Sequence, residues 1–325
     1  MIKNRRFLSI VSLIILIILS LSIDARRDVN IFTLFNLSPE ALEILLISRI
    51  PRTLTIILTA SAISVAGLIM QSVAKNKFVS PGVIGTTQAA TLGVLVAHLF
   101  MPGMALWVQF IFSFITALGG SLLFVTFLSK IQFKNEIYVP LIGMMFGALI
   151  GSFSIVIAQT TNTLQFLNSI GVGSFTNKTI GTYEMIYFVV PALLIAIFYA
   201  SEFNIVSLGK DFANNLGVNY SKVITLGIII VSVITASTFI VVGPLPFLGL
   251  IIPNLVSIYY GDHLKKSIFD LMIFGSIFVL ICDIIARSVL YLVTGYNFEV
   301  AVGFVMGILG SIIFLYLLLR KTKDA

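Results

Sequence analysis

The chain has 325 residues, of which 58% are hydrophobic and only 10% charged, and its mean hydropathy is +1.11. Soluble chains carry about 25% charged residues, so an ordinary soluble domain is excluded. The formal net charge of +7 reads as Lys and Arg anchoring a polytopic membrane protein on its cytoplasmic side, not as a nucleic-acid-binding surface. One cysteine, Cys282, rules out an internal disulfide and any Cys-based metal cluster.

Taken in order, the chain alternates polar breaks with apolar runs that match the roughly 17–25 residues needed to cross a bilayer. The first span is expected at about 7–23, behind Lys3, Arg5 and Arg6. No small-x-small cleavage site follows it, so it reads as a span and not as a removable signal peptide. A polar segment with a short helix follows at 24–48. Spans two to five fall at about 53–73, 84–100, 105–129 and 139–160, and span six at about 182–200, after a polar loop at 161–181.

The longest polar break of the second half, 201–222, comes next. Within it Asp211 can cap a short helix that places Phe212, Ala213 and Leu216 on one face and ends at Gly217. Isolated helices need roughly 12–15 residues to be stable in water, so something must hold this one. Span seven is expected at about 223–242. The segment 243–260 contains Pro244, Pro246 and Pro253 and reads as a discontinuous eighth span. Spans nine and ten follow at about 267–291 and 300–319.

The expected fold is therefore all-α: a single transmembrane domain over 1–325, with ten spans and both termini on one side. With the N-terminus inside, fourteen of the twenty Lys and Arg residues fall on the inner side. The outer side receives Arg26, Arg27, Arg49, Arg52, Lys178 and Arg287. That bias places the termini and the 201–222 loop in the cytoplasm. Spans two to five and seven to ten would then run in opposite senses, the inverted arrangement frequent in transporters. The turns S-P-G-V-I-G (80–85) and P-L-P-F-L-G (244–249) both place Pro shortly before Gly.

Little here serves conventional catalysis. The two histidines, His98 and His263, fall on different membrane sides, so no metal cluster or His-based triad is assembled and no catalytic residue is assigned. Asp283 and Arg287 lie four apart on span nine, where they can neutralise each other on one helix face; a local ion pair and a functional pair remain open. Gly143, Gly147 and Gly151 on span five, and Gly303 and Gly307 on span ten, recur every four residues. That spacing lets helix backbones approach, either as static packing or at a moving, pore-lining interface. At the start of span two, R-I-P-R places Arg49 and Arg52 around a proline suited to a first helical turn. They fit snorkelling anchors and equally a pair gripping carboxylates.

Taken together, R-I-P-R-T-L (49–54), G-L-I-M-Q (67–71), K-N-K-F-V-S-P-G-V-I-G (75–85), S-L-G-K-D-F-A-N-N-L-G-V-N (207–219), G-P-L-P-F-L-G-L-I-I-P-N (243–254), D-I-I-A-R (283–287) and F-L-Y-L-L-L-R (314–320) resemble the permease family of ATP-binding-cassette importers for iron-siderophores, haem and vitamin B12. The resemblance implies a cytoplasmic-membrane permease that works with a second copy or a paralogue, a cytoplasmic ATPase dimer and an extracytoplasmic binding protein. It implies no cofactor in this chain, ATP and Mg being used by the ATPase. It assigns ATPase coupling to Leu208, Gly209, Lys210, Asp211, Phe212, Ala213, Leu216 and Gly217, and binding-protein docking to Arg49, Arg52 and Arg287. The pathway is expected near Gly143–Gly151. Departures from the family pattern are Lys210-Asp211 for Glu-Glu, Asn254 for His after Pro253, Ile170 near the place of a Trp, and Gly310-Ser311-Ile312 for Gly-Ala-Pro. An ion-coupled secondary carrier is the alternative, and it would rest on Asp283.

Overall fold

The computed structural model describes residues 2–23, 39–103, 105–130, 138–261, 264–295 and 298–321. Arg26, Arg27, Lys134, His263 and Lys323 lie outside them. Among the described residues the ordered elements are helices: α1 (Ile2–Ser22), α2 (Pro39–Ile44), α3 (Ile50–Val73), α4 (Thr86–Phe100), α5 (Leu106–Lys130), α6 (Tyr138–Thr160), α7 (Leu164–Ile170), α8 (Val189–Phe198), α9 (Ala200–Ser207), α10 (Lys210–Asn215), α11 (Tyr220–Val242), α12 (Leu248–Tyr260), α13 (Leu264–Thr294) and α14 (Val302–Lys321). Among the described residues, five helices are long and apolar enough to cross a membrane, six if the bent pair at α8–α9 is one span, and four shorter apolar helices accompany them.

Helix limits follow local chemistry. The polar run after Val73 stops α3: Lys75 takes a left-handed φ of 50°, and the Asn76 side chain accepts from the Phe78 N–H at 2.8 Å, an Asx turn. Asn219 caps α11 by accepting from the Lys222 N–H at 3.0 Å. Two helices begin after a left-handed residue, α4 after Gly85 and α12 after Phe247. These are the two proline turns of the sequence. Phe247 adopts a conformation that costs a non-glycine residue roughly 1–2 kcal/mol; its ring lies 6.2 Å from that of Phe314 on α14. The expected eighth span is shortened accordingly, since 243–247 is not helical. Span six also differs: it opens as a 3-10 helix, Glu184–Phe188, and bends by 63° before Ala200–Ser207.

Most of the longer elements pack against α3 or α11, with α6 and α14 placed outside them. In α3 and α11, 72% and 67% of the apolar window is buried inside the chain, against 28% and 22% in α5 and α6. The difference is one of position, α3 and α11 having neighbours on several sides. α3 packs on α12 and α13 much as α11 packs on α4 and α5, and α4 packs on α5 and α6 as α12 packs on α13 and α14. The tightest approach is between Gly67 on α3 and Gly249 on α12. A Cβ on Gly67 would lie 1.9 Å from the Gly249 carbonyl oxygen, whereas one on Gly119 would meet nothing within 4 Å. Gly67→Ala is therefore expected to lower the thermal midpoint and the yield of monodisperse protein, overpacking costing about 1–3 kcal/mol. Gly119→Ala should leave both unchanged. Thermal unfolding in detergent reads the contrast.

Candidate functional site

Residues singled out by the sequence gather at two ends of the bundle and along its middle. At one end, Gly209 (φ 122°) turns the chain out of α9, and Gly217 (φ 77°) turns it into the approach to α11. Between them α10 is only six residues long. Gly209 stands at its N-cap, so Asp211 lies in the first turn instead of capping it. The expected common face is also divided. Ala213 is fully buried, while Phe212 and Leu216 are 51% and 56% exposed and Leu208 is 62% exposed. The Ala213 N–H donates to Gly209 O at 3.0 Å, and the Val218 N–H to Ala213 O at 2.9 Å. Thus α10 is pinned from beneath by Ala213 and presents large apolar groups outward at four-residue intervals. Lys210 and Asp211 are exposed beside them. Nearby, the Lys75 ammonium sits over the Tyr220 ring at 5.4 Å. Asn254, the departure from the family's histidine, donates to Lys77 O at 2.8 Å and joins α12 to the turn after α3.

The same end holds a second buried acid that the sequence reading passed over in favour of Asp283. Asp270 on α13 is 2% exposed, and Arg6 on α1 reaches it at 2.6 Å through Nη2 and 3.1 Å through Nε. The Arg6 guanidinium also lies 5.6 Å from the centre of the Tyr260 ring. A basic residue near the N-terminal end of one apolar helix and an acid in the N-terminal part of another were the available signal.

At the opposite end three arginines converge. A π-helix, Leu45–Arg49, leads into α3, and Pro51 explains a freed carbonyl there. Proline lacks the N–H that would bond to residue 47, and Ile47 O instead accepts from the Ile180 N–H at 3.2 Å. Arg52 Nη2 donates to Asp283 Oδ1 at 2.7 Å, and its Nη1 lies 2.9 Å from both oxygens of Glu299. Arg287 pairs with the other Asp283 oxygen, so the expected i, i+4 ion pair is present. Arg287 Nη1 also donates to Ser20 O at 3.0 Å and Ile23 O at 2.8 Å. Arg49 donates to Leu21 O at 2.7 Å. The last carbonyls of α1 are thus covered by two cations, a favourable placement at a helix C-terminus.

Glu299 was not singled out by the sequence reading, because one acid in a short polar stretch resembles any loop residue. In the structure it also accepts from Thr176 Oγ1 at 3.0 Å. Thr176 belongs to the loop 171–183, which is fastened by fully buried Phe175 and by the Ser174 N–H donating to Val242 O at 2.9 Å. Lys178 on this loop is partly buried, and desolvation pushes its pKa down.

The glycines divide. Cβ atoms on Gly143 and Gly147 would meet the turn 83–85 at 2.9 and 3.2 Å, and one on Gly303 would meet Gly173 at 3.1 Å; at Gly151 and Gly307 nothing lies within 4 Å. Between the two proline turns lies a cavity of about 280 Å³, bordered by Ser80, Thr87, Gln88, Thr235, Thr238 and Pro244. Among the described residues no group of three or more His, Cys, Asp or Glu side chains is placed to hold a metal.

A family model described as the FecCD transport family matches residues 12–320. The petrobactin import system permease protein YclN of Bacillus subtilis is 40% identical over 313 residues, covering 96% of this chain and 97% of that protein. The ferric-anguibactin transport system permease protein FatD of Vibrio anguillarum is 36% identical over 276 residues, 85% of this chain and 86% of that protein. A solved structure described as an inward-facing conformation of a metal-chelate type ABC transporter superposes with a TM-score of 0.80 over 98% of this chain and 99% of that chain; at 22% identity it establishes a common fold.

Proposed function

The chain belongs to the FecCD transport family, and on that premise we propose how its parts work. It is the multi-pass permease subunit of an ABC importer for iron–siderophore complexes in the bacterial cytoplasmic membrane, and it is not itself an enzyme. We read ten spans, both termini cytoplasmic, as one transmembrane domain over 1–325. The six long spans, with the bent pair counted as one, and the four shorter apolar helices support that number. Two features support the inverted repeat of spans two to five and seven to ten. One is the matched packing around α3 and α11, and the other is the left-handed residue that opens both α4 and α12.

One observation carries the coupling assignment: Leu208, Phe212 and Leu216 stand exposed on an otherwise polar loop. In our reading they enter a groove on a cytoplasmic ATPase, a helix-in-groove contact, while Gly209, Lys210, Asp211, Ala213 and Gly217 shape and hold the helix. ATP and Mg belong to that ATPase dimer, and this chain binds no cofactor. ATP-driven closure pushes on α10, and alternating access follows in a dimer made with a second permease, identical or paralogous. Arg49, Arg52 and Arg287 take part in docking an extracytoplasmic binding protein. Gly143, Gly147, Gly151, Gly303 and Gly307 lie along the pathway and its helix contacts. The open surroundings of Gly151 and Gly307 suit a facing permease or a path. Asp283, held by two arginines, gives an ion-coupled carrier little to work with.

The similarity to petrobactin and ferric-anguibactin permeases supports a ferric siderophore of one of these kinds as cargo. Deleting the chain is expected to abolish uptake of radioactive iron supplied as ferric petrobactin or ferric anguibactin, with recovery on complementation. Undiminished uptake of both chelates removes the cargo assignment.

A further inference from the structure

Asp283 and Glu299 share Arg52 but differ in how firmly they are held. Asp283 is fully buried within the continuous helix α13 and is gripped by both Arg52 and Arg287. Glu299 lies on a non-helical stretch beyond Gly295, which takes a positive φ of 75°, and part of its side chain reaches solvent. Its side-chain partners are Arg52 and Thr176. The Nε–H groups of Arg52 and Arg287 are buried and have no hydrogen-bond partner, so the hydrogen bonding of both guanidinium groups is incomplete. Glu299 is also linked onward. The Val300 N–H donates to Ala286 O at 3.1 Å, and the Gly303 N–H donates to Gly173 O at 2.9 Å. Its position therefore connects the loop 171–183 to the first turn of α14.

We propose that Glu299 is an intrachain placeholder for a carboxylate of the docking binding protein. On docking, Arg52 exchanges Glu299 for the incoming carboxylate, and the Thr176–Glu299 link between the outer loop and α14 opens. The inference rests on the docking role assigned above. Exchange is the low-cost route, because Arg52 never stands unpaired in a buried site, where a lone charge is heavily penalised. Released, Glu299 turns to the water it already reaches. The exchange gives docking a mechanical output on α14, the helix carrying Gly303 and Gly307.

The experiment uses the full transporter with its ATPase in nanodiscs, and as probe the iron-free soluble domain of the binding protein from the same import system. Glu299→Gln removes the competing charge and keeps the shape. It is expected to tighten docking a few-fold, up to about fivefold, the range of one partly exposed ion pair. Thr176→Val loosens Glu299 without changing charge and should act in the same direction, more weakly. Arg52→Gln should weaken docking. Unchanged or weaker docking in both Glu299→Gln and Thr176→Val, with Arg52→Gln impaired, overturns the placeholder and leaves the docking role standing. Unchanged docking in Arg52→Gln overturns both.

Discussion

Replacing Phe212 and Leu216 together by alanine is expected to leave the permease folded and inserted while weakening ATPase association roughly ten- to hundredfold. Each large apolar side chain contributes roughly 1.5–3 kcal/mol when fully buried, and about half of each is already covered in the free chain. Burying the remainder of both against a partner then contributes about 1.5–3 kcal/mol, one to two orders of magnitude in affinity. Little stability is at risk, because the anchor of α10 is Ala213, not the two outward residues. Co-purification of the ATPase with the tagged permease measures the effect, and the thermal midpoint of the permease alone is the control. Retention of the ATPase at wild-type stoichiometry contradicts the coupling assignment. The opposite design, Ala213→Leu, should damage the fold itself.

The second large effect is expected at Asp283. Removing it in Asp283→Ala leaves Arg52 and Arg287 facing each other in a buried site with only Glu299 between the cluster and net repulsion. Breaking a buried pair in this way costs about 3–5 kcal/mol, whereas replacing the whole pair with apolar groups of similar volume is often neutral. Asp283→Ala should therefore lose most folded protein. Asp283→Leu combined with Arg287→Met should recover folded protein, the pairing of Arg52 with Glu299 being retained, while uptake returns only in part because a docking arginine is lost. An ion-coupled carrier that used Asp283 as its proton or cation site makes the reverse forecast. There the single variant folds but cannot transport, and the double variant cannot be rescued. Folded yield and uptake, measured side by side, separate the two.

These two sites also show what the sequence discloses and what it withholds. Span limits were legible because hydrophobic runs and polar breaks follow directly from the bilayer. α3, α5, α6 and α11 start and stop within a few residues of expectation. The pairing of Asp283 with Arg287 followed from helical periodicity alone. Partners distant in the chain were not legible. Glu299 meets Arg52 across 247 residues and Thr176 across 123, and Arg6 meets Asp270 across 264; no local pattern encodes these pairings. Facing was misjudged on α10 for a related reason. Phe212, Ala213 and Leu216 are adjacent on a helical wheel, yet only the smallest fits beneath, where α10 lies against α9 and α11. The bend after α8 and the non-helical 243–247 depend on tertiary packing that overrides apolar continuity.

The arginine cluster is the clearest gain from the three-dimensional arrangement. Arg49 and Arg52 could be read as exposed grips or as snorkelling anchors. They are instead tied into a network that closes the end of α1 and spans α3, α13 and, through Glu299, the loop 171–183. A binding protein that docks here, as we propose, exchanges partners within a network and does not simply add contacts to a bare surface.

The central claim is that this permease is driven by ATP through a separate ATPase, and proteoliposomes test it most directly. The permease, its partner permease and its ATPase are reconstituted with ATP and Mg on the ATPase side and binding protein with ferric siderophore on the other. Ion gradients are abolished. Uptake that proceeds under these conditions, and stops when the ATPase is inactivated, is the predicted result. Uptake that ignores ATPase inactivation and follows an imposed proton or sodium gradient contradicts it.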